Sequence, residues 1–208
     1  SLIFVLVSCQ STPKCGPEVR AAFDVGSGST KIKVVDFNTC TQEVTQTLLE
    51  DQIKVDYRDA LEKNPSGDFP ESVKIDGLAA LEKLKGEAHA KGAKKFTGIG
   101  TAAFPQAKNA AEFVKVTREK LSIPVRIINQ SDEALLGFQA AREKAKAASQ
   151  NLVVWDIGGG SMQMVSLDDT LKPTVYYGNL ASVSFKNQVI SKIQKKDPTK
   201  VSSPNPLK

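Results

Sequence analysis

Two short segments of the chain are near-copies, and their residue types suit one kind of chemistry. They are Asp24-Val25-Gly26-Ser27-Gly28-Ser29 and Asp156-Ile157-Gly158-Gly159-Gly160-Ser161. Side-chain-poor Gly/Ser turns expose backbone N–H groups that can wrap a phosphate. An Asp leading into such a turn supplies a hard oxygen ligand of the kind Mg²⁺ prefers. Gly26, Ser27, Gly28 and Ser29, with Gly158, Gly159, Gly160 and Ser161, are therefore candidate phosphate binders, and Asp24 and Asp156 candidate metal ligands. Either segment alone reads equally well as a Gly-rich hairpin with no ligand. Two matching copies facing each other across a cleft would grip a phosphate chain from both sides.

To be positioned, each turn needs a strand on either side, and the pattern supplies them. Apolar β-type runs flank the first turn at residues 19–23 and 32–35, and the second at 152–155 and 162–165. Strand-like stretches cover residues 20–23, 32–37 and about 44–53. Asp68-Phe69-Pro70-Glu71 opens a helix, with acidic residues at its positive end. Val73, Leu78, Leu81, Leu84 and Ala88 form its apolar face, and Gly92 stops it. A strand at 95–100 follows, then a helix begun by Asn109 and bearing Phe113, Val116 and Leu121, then a strand at 123–128. Ser131 is expected to cap a helix that carries Ala134, Leu135, Phe138 and Ala141 and runs on through Lys146. Short helical crossovers make these later strands parallel. A second round then starts, with strands at 152–156, 162–166 and 174–177 and a helix from about 181 to 194. The tail, 195–208, reads as loop. The expected architecture is α/β: a βββαβαβα lobe over residues 20–133, then a linker helix and the N-terminal part of a second similar lobe over 134–208. A round broken off inside a lobe implies a fragment of a longer chain, or else a degenerate relative.

At 208 residues and 40% hydrophobic composition, the chain can form one large or two small domains with a real core. The net charge of +5 mildly favours anionic partners, but Lys and Glu are interspersed rather than clustered. Aromatic residues make up 6% and do not interleave with basic ones, which argues against nucleic-acid binding by base stacking. A single histidine, His89, excludes a His-based triad or a His-rich metal site. The first nine residues are an apolar run too short to span a bilayer. They fit the tail of a secretory signal, and Leu6-Val7-Ser8-Cys9 resembles a bacterial lipobox. Cys9 is then the candidate lipidation site, and residues 1–19 a signal remnant and tether. The location implied is a lipid anchor on a bacterial membrane, in the periplasm or at the cell surface. The plain alternative is a stray apolar strand with a free thiol. Cys15 precedes the first strand and Cys40 follows the second, so an antiparallel hairpin brings the two thiols together. An exported compartment permits a Cys15–Cys40 disulfide; otherwise they remain two unpaired thiols.

Taken together, the chain resembles the exopolyphosphatase and guanosine pentaphosphate phosphatase family, within the actin and sugar-kinase-like (ribonuclease H-like) superfamily. Four stretches carry the resemblance over about residues 20–190: the first Asp-Gly loop; Gly100-Thr101-Ala102-Ala103 with Ala107-Lys108-Asn109 and Phe113; Ile127-Ile128 with Asp132-Glu133-Ala134; and the second Asp-Gly loop. The resemblance implies an actin-like fold, polyphosphate or a guanosine polyphosphate as substrate, Mg²⁺ as cofactor, and Glu133 as the base that orients a water for in-line attack. Without the resemblance, Glu133 reads as an ordinary first-turn Glu at a helix N-terminus. The sequence departs from the family pattern at two side chains. The family's Arg in the second stretch falls at Pro105, which has no donor, and the Glu two residues after the last loop's Ser is Gln163. These departures keep open a non-catalytic binder or sensor of condensed phosphates. Thr30-Lys31 raises a kinase as a third reading, which Asp132-Glu133-Ala134 opposes. The oligomeric state stays open, a homodimer included.

Overall fold

The computed structural model describes residues 15–145, 151–158, 161–178, 180–201 and 203. Cys9, Lys146, Gly159 and Gly160 lie outside the described residues. In β1 (Pro17–Val25) the alternation of side chains sends Ala21, Phe23 and Val25 into the core and leaves Ala22 and Asp24 on the other face. β2 (Ser29–Asn38) repeats this, with Thr30, Ile32 and Val34 buried and Lys31 and Lys33 exposed. β1 and β2 form an antiparallel hairpin, and β3 (Glu43–Lys54) continues the meander. β4 (Lys95–Gly100) then runs parallel to β1, and β5 (Val125–Ile127) parallel to β4, giving the order β3-β2-β1-β4-β5. α2 (Glu71–Ala90) contributes Val73, Leu81, Leu84 and Ala88 to the core, and α3 (Ala110–Leu121) contributes Phe113. Adding α4 (Gln130–Ala145) completes the expected βββαβαβα order. The expected stop at Gly92 is observed, with φ at +89° and its N–H donating to His89 O.

Two elements were not expected, α1 (Tyr57–Glu62) and a single 3₁₀ turn at Phe104–Gln106. Both are too short to show a helical period. Each delivers an aromatic ring to a cluster of Tyr57, Phe69, Phe104 and Phe113, with ring centroids 5.1–6.0 Å apart. Such tilted and edge-on pairs add to the stabilisation from burial. Tyr57 is fully buried, its hydroxyl 3.5 Å from Thr30 Oγ1, and burial pushes its pKa up to about 12. α2 passes close to this ring at Gly77, where a Cβ would run into the Tyr57 hydroxyl and come within 3.0 Å of the Phe113 ring. Gly77→Val is therefore expected to destabilise the fold by about 1–3 kcal/mol through overpacking, read as a lower urea midpoint.

Two local expectations change, and a third residue gains a further role. Asn129, not Ser131, caps α4: its side-chain oxygen accepts the Asp132 N–H at 2.8 Å. Asn109 begins α3 as expected, its carbonyl accepting the Phe113 N–H at 3.2 Å, with no side-chain cap bond. Its amide instead clamps the backbone of Phe69, accepting from Phe69 N–H at 2.8 Å and donating to Phe69 O at 2.9 Å. Thr117 takes the buried position on α3 rather than Val116, because its hydroxyl donates to Val114 O and Ile123 O.

The second round forms an antiparallel sheet of β6 (Val154–Ile157), β7 (Met162–Leu167) and β8 (Pro173–Gly178), followed by α5 (Ser182–Gln188) and a π turn at Val189–Ile193. α4 packs on this sheet through Ala134 and Phe138 against Val165. Trp155, Ile157 and Phe185 stay exposed. Among the described residues no helix is long and apolar enough to cross a membrane.

At the open end of the β1–β2 hairpin, Pro17 faces Asn38. Continuing that register by two residues sets Cys15 opposite Cys40. Thr39 N–H donates to Gly16 O at 3.1 Å and Gly16 N–H to Thr39 Oγ1 at 3.0 Å, which pins the chain between the two cysteines. Both thiols are free and exposed, and contact with Cys15 raises the pKa of Cys40. Under oxidising conditions a Cys15–Cys40 bond is expected to form and to raise the melting temperature by roughly 5–10 °C by closing the hairpin loop. Thiol titration together with melts with and without reductant checks this. All three thiols of the chain, Cys9 included, remaining titratable after oxidation would refute it.

Candidate functional site

The two near-copies are closed by the same backbone bond. Gly26 N–H donates to Ser29 O at 3.0 Å, and Gly158 N–H donates to Ser161 O at 2.9 Å. These two glycines therefore spend their N–H groups on closing the turns. In the first loop, Gly28 O accepts from Val55 N–H and Ser27 O from Arg58 N–H, at 3.2 and 2.9 Å. The carbonyls are thus tied back to the segment after β3, and the N–H groups of Ser27 and Gly28 have no partner among the described residues. In the second loop, Gly158 O accepts from Ser182 N–H and its hydroxyl, and Gln163 donates to Ser161 Oγ at 3.4 Å.

Asp24 stands one residue before the end of β1 on the sheet's open face, level with Lys31 on β2 and Ile99 on β4. A cavity of about 700 Å³ opens on this face, with Asp24, Lys31, Lys33 and Ile99 among its lining. Lys31 Nζ lies 3.7 Å from Asp24 Oδ2, and the Thr101 hydroxyl donates to Asp24 Oδ1 at 3.5 Å. Glu133 enters from the first turn of α4. The chain reaches that turn because Ile128 N–H bonds Gly100 O at 3.1 Å, which sets the end of β5 beside Thr101. Burial, reinforced by the Asp24 and Asp156 charges, pushes the Glu133 pKa up to about 7 against the opposing effects of Thr101 and Lys31. Burial also raises the pKa of Asp24, with Lys31 and Thr101 opposing and Asp156 adding to the rise. Asp156, on β6, lies against α4 one turn beyond Glu133: a Cβ at Gly137 would sit 3.8 Å from its carboxylate. α4 thus brings carboxylates from both sheets to one place, with Lys31 as their counter-charge.

A model of the Ppx/GppA phosphatase family matches residues 34–196. The chain belongs to this family. Among solved Ppx/GppA structures, the Aquifex aeolicus member superposes with a TM-score of 0.70 at 20% identity, covering 88% of this chain and 56% of that one. An exopolyphosphatase from Cytophaga hutchinsonii gives 0.66 at 17% identity, covering 81% and 52%. The ethanolamine utilization protein EutJ from Carboxydothermus hydrogenoformans gives 0.51 at 14%, covering 89% and 60%. At these identities the likeness establishes the Ppx/GppA actin-like fold. The chain spans a little over half the length of the Ppx/GppA structures it matches.

Of the residues singled out from sequence, Asp24, Glu133 and Asp156 converge, and each loop is closed by the same Gly-to-Ser backbone bond. Three neighbours were not picked out as site residues. Thr101 appeared only as part of a motif, and Lys31 only as a hint of a kinase. Arg58 gave no signal, because it sits on the unexpected α1. Gln163 is 2% exposed beside the second loop, and Pro105 lies in the 3₁₀ turn after Thr101.

Proposed function

We propose that this protein hydrolyses the terminal phosphoanhydride bond of inorganic polyphosphate or a guanosine polyphosphate. The observation that carries the reading is Glu133, with a pKa raised to about 7 by burial and by the Asp24 and Asp156 charges, near two Gly/Ser loops that are each closed by the same Gly-to-Ser backbone bond. In the reaction, Glu133 takes a proton from a water as its oxygen bonds to the terminal phosphorus. The bridging P–O bond breaks, and orthophosphate separates from a chain one unit shorter. A base contributes most when its pKa lies near the working pH. The Ser27 and Gly28 N–H groups and the second loop position the phosphates, so most of the catalysis is alignment and charge stabilisation.

The carboxylate set fits Mg²⁺. Among the described residues no three His, Cys, Asp or Glu side chains close into a ready cage. Mg²⁺, however, usually takes one or two carboxylates and completes its shell with water and substrate phosphate. Asp24 and Asp156 would hold it, and it would supply charge neutralisation of the phosphates. The lipobox-like segment at Cys9 supports an exported, membrane-anchored enzyme.

Gln163 favours a second reading, a binder of condensed phosphates without turnover. It places a neutral amide, buried and bonded to Ser161, where the family resemblance implies a Glu. Phosphate release from polyphosphate, with and without Mg²⁺, separates the two. Mg²⁺-dependent release supports hydrolysis, whereas tight binding without release supports the binder.

A further inference from the structure

We propose that Arg58 builds a phosphate subsite on the first loop, gripping oxygens of a phosphate seated on the turn at Ser27 and Gly28. This rests on the condensed-phosphate reading and goes beyond it by naming the group that neutralises the substrate on that side. The electrostatics call for such a group. Asp24, Glu133 and Asp156 face an incoming polyanion, and Lys31 is already engaged with Asp24. Pro105, in the neighbouring turn, offers no donor.

Arg58 is held where this cation is needed. Its backbone N–H donates to Ser27 O at 2.9 Å, and the adjacent Tyr57 anchors α1 in the aromatic cluster. The guanidinium lies along the loop, Nε 3.5 Å from Ser27 Oγ, and Nη1 reaches Gln106 Oε1 at 3.5 Å and Glu62 Oε1 at 3.3 Å. These are long contacts for a group with five N–H donors. The side chain is 24% exposed, which partly shields it from water, while Glu62 is 65% exposed and easily displaced. A guanidinium released from Glu62 presents a planar fork that matches two phosphate oxygens.

The test is the dissociation constant for tripolyphosphate in Mg²⁺ buffer, measured by calorimetry on the 208-residue chain. Arg58→Ala is expected to weaken binding about 10- to 100-fold. Arg58→Lys should fall in between, because it keeps the charge but not the fork. Glu62→Gln should tighten binding a few-fold by freeing the guanidinium. Every variant keeps the backbone bond to Ser27, so a loop held only by that bond would bind equally well in all of them. Unchanged affinity in Arg58→Ala, or weaker affinity in Glu62→Gln, overturns the subsite. If Asp24→Asn loses binding while Arg58→Ala does not, the subsite fails and the phosphate-cleft reading stands. If the unmodified chain binds no tripolyphosphate, both fail.

Discussion

Glu133→Gln should lower phosphate release by about 10²–10⁴-fold, the usual loss when a general base is removed. Substrate affinity should hold or improve. The amide keeps the shape of the side chain and relieves repulsion with Asp24 and Asp156, but it cannot accept the proton of the attacking water. The pH profile provides an internal check. Because the Glu133 pKa is raised to about 7, the active anion is scarce below pH 7, and the rate should climb through that value to a plateau. The residual rate of the Gln variant should lack this step. Stability should move the opposite way. The folded state holds a proton on Glu133 between the ordinary carboxylate pKa and about 7. The cost of ionising the side chain in its site is therefore absent below the ordinary value and complete above 7. Glu133→Gln should accordingly melt higher than wild type at pH 8 and alike at pH 4. A variant that loses activity and stability together would mark Glu133 as structural.

Asp24→Asn and Asp156→Asn should behave differently, lowering Mg²⁺-dependent phosphate affinity by roughly 10- to 100-fold, the range expected when an interaction with a charged group is lost, and lowering turnover as well. An amide keeps the shape of the side chain but offers the cation one neutral oxygen in place of an anion. Without Mg²⁺ the sign is expected to reverse. Each substitution then removes a negative charge that repels phosphate, so metal-free binding should strengthen slightly. Phosphate titrations with and without Mg²⁺ distinguish this crossover from simple unfolding, which would weaken both. Asp24 should also couple to Lys31, whose ammonium it holds at 3.7 Å.

The parts of this site that could be read directly from the sequence are those whose chemistry lies in contiguous residues. Asp24 to Ser29 and Asp156 to Ser161 carry their turn in their own composition, and the strands beside them follow from apolar alternation. Glu133 was marked by a family motif rather than by periodicity, and its neutral-range pKa comes from burial and from Asp24 and Asp156, which are distant in sequence. Arg58 was invisible for a related reason. α1 is six residues long and stable only because Tyr57 packs on Phe69, Phe104 and Phe113. Tertiary contacts decide elements of that size, as they decided that the Asn109 side chain clamps the Phe69 backbone. The closeness of the free thiols of Cys15 and Cys40 was foreseeable because a hairpin register is local arithmetic.

Both Gly/Ser turns should hold one phosphate chain at once. The direct measurement is a ¹⁵N amide titration of the chain with tripolyphosphate and Mg²⁺. Ser27 and Gly28 on one turn are expected to shift together with Gly158 and Ser161 on the other, along a single binding curve, and Asp24→Asn is expected to weaken both responses equally. Shifts confined to one turn, or two turns titrating with different affinities, would contradict it.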